Sequence, residues 1–152
     1  MSDFWTKSAR RSLEQALKTQ VESSATDTAL GYTSPAHLYV RWPGYSLPTP
    51  MPDEYVRFSF HPAPRRVVTM GPNGRIEGRG FAKIGVFTRL GESQDRNDTI
   101  AGIVAAAYPY NLNLVRDGIR VTITTTDHGQ FVERDGWGYS PVDANWDVWR
   151  TN

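Results

Sequence analysis

The sequence predicts an α+β domain: a mainly antiparallel five-stranded sheet, with an N-terminal helix and a second helix packed on one face. Three observations lead there. Several short runs alternate apolar and polar residues, the pattern of half-buried strands. Only two stretches carry apolar residues at helical spacing. The strands cluster, three between those helices and two after the second, giving the order α-β-β-β-α-β-β rather than a repeated strand–helix alternation. The 152 residues are read as one domain, 1–152, long enough to bury a core. With 5 Trp, 7 Tyr and 6 Phe, the chain has the aromatic content of a folded protein rather than a disordered one.

The first helix is expected over about residues 3–23. Ser2 or Asp3 is a natural N-cap, and Trp5, Ala9, Leu13, Ala16, Leu17 and Val21 share one face. That stripe is narrow, so the helix is expected to lie on a sheet edge or a neighbouring subunit rather than deep in the core. Residues 23–35 are polar and read as a connection broken by Gly31 and Pro35. Leu38, Val40 and Trp42 alternate with Tyr39 and Arg41 as a short first strand, and Pro43, Pro48, Pro50 and Pro52 make the next loop stiff.

In the second strand Val56, Phe58 and Phe60 point one way and Tyr55, Arg57 and Ser59 the other, until Pro62 and Pro64 end it. The glycine-rich, basic stretch at about 65–80 predicts a mobile hairpin or arm. The third strand runs over about 81–90. Ile84 and Val86 share one face and Phe81 and Phe87 the other, so both faces are expected to meet apolar groups. The second helix spans about 94–108, with Ile100, Ile103, Val104, Ala107 and Tyr108 facing the core and Asp95 and Asp98 in its first turn. Ile119, Val121 and Ile123 mark a fourth strand, residues 126–136 a polar loop, and Val142, Ala144, Trp146 and Val148 a fifth strand.

Charge is unevenly spread although the net value is +1. Eight basic residues lie between Arg57 and Arg96 against three acids, and six acids lie between Asp117 and Arg150 against three bases. Two oppositely charged surfaces on one subunit would suit head-to-tail association; a mixed solvated surface is the alternative.

Motifs for chemistry are weak. With no Cys, thiolate nucleophiles and Cys-ligated zinc are excluded. His37, His61 and His128 are scattered, without the paired spacing of a metal site. There is no Gly-x-Ser-x-Gly elbow. Gly78-Arg79-Gly80 leads into a strand, not a helix N-terminus, so its glycines read as flexibility rather than as a phosphate loop. Asp143-Ala144-Asn145-Trp146-Asp147 opens like a calcium loop, but Val148 stands where the turn needs Gly, and strand alternation explains the pattern. No catalytic, cofactor-binding or metal-ligating residue is assigned. An enzyme would have to assemble its site from scattered groups such as His61, Asp127 and His128. No run approaches a membrane span, and Met1-Ser2-Asp3-Phe4-Trp5-Thr6-Lys7 leads into polar helix rather than a secretory core.

The succession of elements resembles the tail terminator and tail-completion proteins of long-tailed bacteriophages. The matching features are the leading helix, the strand 38–42 entering a Pro-rich loop, and the strand 55–60. They continue with a glycine-containing lead into the long strand 80–90, then a helix ending in the aromatic Tyr108. A strand at 119–126 and the Asp135-Gly136-Trp137 turn into a closing strand with Trp146 complete the series. One departure is Thr88-Arg89-Leu90-Gly91-Glu92, which keeps a glycine but lacks the family's proline. The resemblance implies a homo-hexameric ring that caps the tail tube, stops its polymerisation and offers a docking surface to the head–neck assembly. Implied partners are further copies of the chain, the major tail tube protein, a head–tail connector or neck protein, and DNA passing through the lumen in non-specific contact. No membrane or cofactor is implied. The implied location is the tail–neck junction of a virion, after synthesis in the host cytoplasm. A neck or head–tail adaptor ring is the alternative. Candidate subunit-interface or lumen residues are Arg65, Arg66, Arg75 and Arg79 on the arm, and Asp127, Glu133 and Asp135 in the acidic third.

Overall fold

The computed structural model describes residues 11, 14–17, 19–20, 22–33, 36–42, 44–62, 66–67, 75–89, 94–116 and 119–151. Among the described residues three helices and eight strands follow in chain order. They are α1, in which residues 14–17 and 19–20 are helical, α2 (Ser24–Ala29), β1 (Tyr39–Arg41), β2 (Glu54–Pro62) and β3 (Arg66–Val67). Then come β4 (Arg75–Arg89), α3 (Gln94–Ala106), β5 (Asn113–Arg116), β6 (Ile119–His128), β7 (Val132–Arg134) and β8 (Trp137–Thr151).

β4 and β8 are the spine. Fifteen residues of each pair antiparallel without a break, from Arg75↔Thr151 to Arg89↔Trp137. At ~3.3 Å per residue this ribbon is about 50 Å long. The sheet order is β1-β2-β4-β8-β6-β5. β3 pairs with β4 beyond the end of β2, and β7 pairs with β8 beyond the end of β6. Every pairing is antiparallel except β1 with β2.

The α+β class and the mostly antiparallel sheet agree with the sequence reading, but the strand count and order change. Among the described residues the sheet has eight strands rather than five, and a third helix, α2, precedes β1. The added strands β3, β5 and β7 have 2, 4 and 3 residues and lack the flanking apolar alternation that marked the three-residue β1. β7 lies within the stretch read as a polar loop, and β8 begins five residues before the apolar alternation at Val142. Asp135 (φ 51) and Gly136 (φ 81) join these two strands. A two-residue turn with positive φ at both positions matches the strand twist, and Asp-Gly adopts it readily. Helix α2 falls in the segment read as a connection, because it presents no apolar stripe. Ser23 caps it by accepting the Thr26 N–H, and Asp27 accepts the Leu38 N–H at 2.9 Å, which leads the chain into β1.

One face of the sheet is covered by α3. Val56, Phe58, Phe60, Ala82, Ile84, Val86, Val121, Ile123, Val142, Ala144, Trp146 and Val148 are buried there with Ile100, Ala101, Val104 and Tyr108 of the helix segment. Ile103 and Ala107, expected in the core stripe, are only partly buried; Asn97 and Ala101 take part instead. Helix α1 also departs from expectation. Ala16 and Leu17 are buried, the Tyr108 hydroxyl donates to the Leu17 carbonyl at 2.6 Å, and the Gln20 amide donates to the Ala107 carbonyl at 2.7 Å. The helix is docked on the C-terminal end of α3 rather than lying on a sheet edge. Trp5, Ala9, Leu13 and Val21 lie outside the described residues.

Asn97 fixes the helix to the ribbon. Its side chain is fully buried, and its amide nitrogen lies 3.3 Å from the Val86 carbonyl, 3.1 Å from Thr88 Oγ1 and 3.3 Å from the Gly138 carbonyl. The Ser140 hydroxyl donates to its Oδ1. One side chain therefore joins α3 to both β4 and β8.

Gly80 has a role different from the flexibility read into it. It pairs with Pro62 on one side and Trp146 on the other. A Cβ there would lie 2.4 Å from the His61 carbonyl oxygen and 2.8 Å from Trp146 Cζ2. The missing side chain lets Trp146 reach over β4 to stack on Phe60, with centroids 5.3 Å apart and planes 1° from parallel.

Two outcomes follow for denaturant unfolding of the full chain. Asn97→Leu strips partners from a buried network and should lower stability by about 2–4 kcal/mol. Gly80→Val should destabilise by a similar ~2–4 kcal/mol through steric overlap with backbone and indole, whereas Arg79→Ala beside it should change stability by less than about 1 kcal/mol. Equal effects of the two neighbours would refute the close-packing account of Gly80.

Candidate functional site

The second face of the sheet is not covered by any described helix, and it carries the chain's concentrated surface chemistry. Strand register builds it in rows. Tyr55, Phe87 and Tyr139 stand side by side across β2, β4 and β8. Tyr55 and Phe87 stack at 4.8 Å and 7°, Trp137 meets Tyr55 edge-on at 5.3 Å, and Tyr139 tilts against Phe87 at 4.8 Å. Cations sit over this cluster: Arg57 is 5.4 Å from the Phe87 ring centre and Arg89 is 4.8 Å from that of Trp137. Burial among these rings pushes the Tyr55 phenol above its ordinary value. A recess of about 290 Å³ opens here, lined by Arg57, Phe87, Arg134, Asp135, Trp137 and Tyr139.

Further along the same face, Ser59, Lys83, Asp143 and Asp127 form one row, and His61, Phe81 and Asn145 the next. His61 stacks on Phe81 at 4.7 Å, and Asn145 donates to Asp127 Oδ2 at 3.1 Å. Arg79 stands opposite Asp147. The basic middle of the chain and its acidic third are thus neighbouring strands. Their charges interleave on one face, in keeping with the mixed surface of the two readings rather than with two separate charged surfaces.

The candidate residues separate along the ribbon. Arg66, Arg75 and Arg79 lie at the end where β4 starts and β8 finishes. Glu133 and Asp135 lie at the opposite end, at the β7–β8 turn, and both are exposed. Asp127 lies between, paired with Asp143. Arg65 is outside the described residues, as is the tip of the predicted arm at 68–74. Residues 75–80 are ladder residues, paired with β8 and in part with β3 or β2. Sequence reasoning missed Arg57, Arg134, Trp137 and Tyr139 as a group. Their signal was the alternation of Trp137, Tyr139 and Pro141 with Gly138 and Ser140, which reads as polar because the large residues face away from the core.

The residues of a scattered catalytic site are not brought together. His61 on β2 and Asp127 on β6 are three strand spacings apart, about 14 Å at ~4.8 Å per strand. His128 follows Asp127 directly and so points to the other face. Among the described residues, no three His, Asp or Glu side chains converge as metal ligands.

A two-point ion pair lies away from this face and is structural. Arg96 of α3 grips Glu54 of β2 with two nitrogens, at 2.8 and 2.6 Å, and donates to the Leu30 carbonyl at 3.3 Å. The Tyr32 hydroxyl donates to the same carboxylate at 2.6 Å. These bonds hold the Glu54 carboxyl below its usual range, Arg96 first and Tyr32 after it, against the opposing effect of burial. Burial, and then Glu54, push the Tyr32 phenol up. The cluster ties the end of α2, the start of β2 and the start of α3.

The family described as phage tail terminator protein matches residues 12–146. The chain belongs to that family. It is accordingly a structural tail component of a virion, as the order of its elements suggested. Two solved structures share the terminator chain's fold. One chain, 23% identical with a TM-score of 0.65, matches over 89% of this chain and 94% of its own length. Another, from the virion of a native gene transfer agent particle, is 17% identical with a TM-score of 0.60 and matches over 97% of this chain and all of its own. No curated protein sequence matches the chain.

The Glu54 cluster predicts a pH dependence of stability. A carboxyl lowered in the fold contributes stability that is complete above its unfolded pKa of ~4.3 and is lost as pH falls through the folded value. Melting curves of the wild-type chain should therefore fall off below about pH 4.3. Glu54→Gln should lower the melting point at neutral pH and flatten that acid limb; an unchanged limb would assign it to other carboxylates.

Proposed function

We propose that this chain forms a ring, a homo-hexamer by resemblance, that caps the tail tube, ends its polymerisation and presents a docking surface to the head–neck assembly. The family match over residues 12–146 carries the reading. The geometry supports it in two ways. The fold invests its buried polar groups in rigidity: Asn97 locks helix to ribbon, and Arg96–Glu54 locks β2 to α3. It also leaves one broad sheet face and two ribbon ends for contacts. Arg66, Arg75 and Arg79 stand at one end, and Glu133 and Asp135 at the other beside Arg134 and Arg89, so each end offers charged groups to a tube on one side or a neck protein on the other. DNA in transit would meet the surface only through non-specific charge.

Particle mass in solution, with and without purified tail tubes, and electron micrographs of the tube ends test the proposal. A ring of discrete mass seated on the tube terminus is the expected result. A monomer that ignores tubes would refute it, and a ring found only on the head connector would favour an adaptor. Replacing Arg65, Arg66, Arg75 and Arg79 together with Ala should weaken ring or tube binding and leave the melting temperature within a few degrees. A collapse in melting temperature would make these residues structural instead.

A further inference from the structure

The sheet ends laterally in two strands with one neighbour each among the described residues. β1 pairs only with β2, and β5 pairs only with β6. Unpaired strand edges present open backbone donors and acceptors, and soluble proteins usually blunt them. The three most exposed large apolar side chains among the described residues lie at those edges. Tyr45, 67% exposed, is in the loop held against β1 by bonds from Arg41 to the Tyr45 carbonyl and from Tyr39 to the Ser46 carbonyl. Tyr110, 83% exposed, and Val115, 62% exposed, flank the other edge, where the Asn111 N–H and the Leu112 carbonyl already bond to Ile123 and extend the β5–β6 ladder.

The two edges offer different groups. Beside β1 is a recess of about 350 Å³ lined by Leu38, Val40, Trp42 and Tyr45, with the carboxylates of Glu22 and Asp27 on it. Each carboxylate uses one oxygen internally, Glu22 toward the Trp42 indole N–H and Asp27 toward the Leu38 N–H. On the β5 side, exposed Val115 stands in register with exposed Arg120, an apolar group beside a cation.

We propose that the β5 edge of one copy seats in the β1 recess of the next, with Val115 and Tyr110 against Tyr45 and Trp42, and Arg120 toward Glu22 and Asp27. The contact joins two different surfaces at opposite sides of one sheet. It is head-to-tail, so it repeats from copy to copy and closes when the rotation allows. The inference rests on the ring reading above and names the surfaces that would build it.

The native chain has no cysteine, so introduced thiols report a single contact. In the assembled Val115→Cys/Tyr45→Cys double variant, mild oxidation should give a covalent ladder of multimers ending at the ring, while each single variant stays uncrosslinked. Arg120→Glu should weaken association by about tenfold or more, and Glu22→Arg in the same chain should restore it by swapping the charges. Melting curves establish that each variant is folded. Dimers from Val115→Cys alone would reveal a two-fold β5–β5 contact and overturn the inference. A ring that forms without Val115–Tyr45 crosslinks and ignores the charge swap would overturn it and leave the ring standing. No assembly of the wild-type chain, with or without tubes, would overturn both.

Discussion

The architecture depends on the contact between one buried amide and a two-stranded ribbon. A fifteen-residue antiparallel pair has no intrinsic reason to bind a helix at one place along its length. Apolar packing alone would tolerate a slide by one pair of residues. Asn97 removes that freedom, because its hydrogen bonds reach two β4 residues, Val86 and Thr88, and two β8 residues, Gly138 and Ser140. Once α3 is registered, the rest is positioned from it. Arg96, one residue earlier, reaches Glu54 and sets the start of β2, and Tyr108 at the far end receives α1 through the Leu17 carbonyl.

That constraint also explains what could and could not be read from the residues alone. The central strands were legible because Val56, Phe58, Phe60 and Val142, Ala144, Trp146, Val148 alternate cleanly against a helix-covered face. The strands β3, β5 and β7 and the helix α2 were not, since so few residues, with no apolar alternation or stripe extending beyond them, carry no readable period. Asn97 was invisible as a core residue because an asparagine in a helix reads as solvent-facing until its acceptors are placed opposite it. The glycine misreading has a related cause. Gly80 reads as loose in sequence, and only the position of Trp146 shows that the space is filled.

The candidate surface was legible in composition but not in arrangement. An excess of bases followed by an excess of acids suggested two patches. Antiparallel pairing of β4 with β8 turned them into alternating charges on one face, Lys83 by Asp143 and Arg79 by Asp147. What differs between the two ends of the molecule is therefore a small surplus of sign rather than a separation. The open face is built of rings under guanidinium groups, a surface with little rotamer entropy to lose on contact. The family is one of structural tail proteins, and a face of this kind is suited to contact with other proteins.

The unbroken β4–β8 pairing has a mechanical meaning. A load applied along the strand direction puts all fifteen rungs in shear, so they share the force and must yield together rather than unzip one by one. A tail component loaded in this direction would hold until the whole ribbon gave way at once.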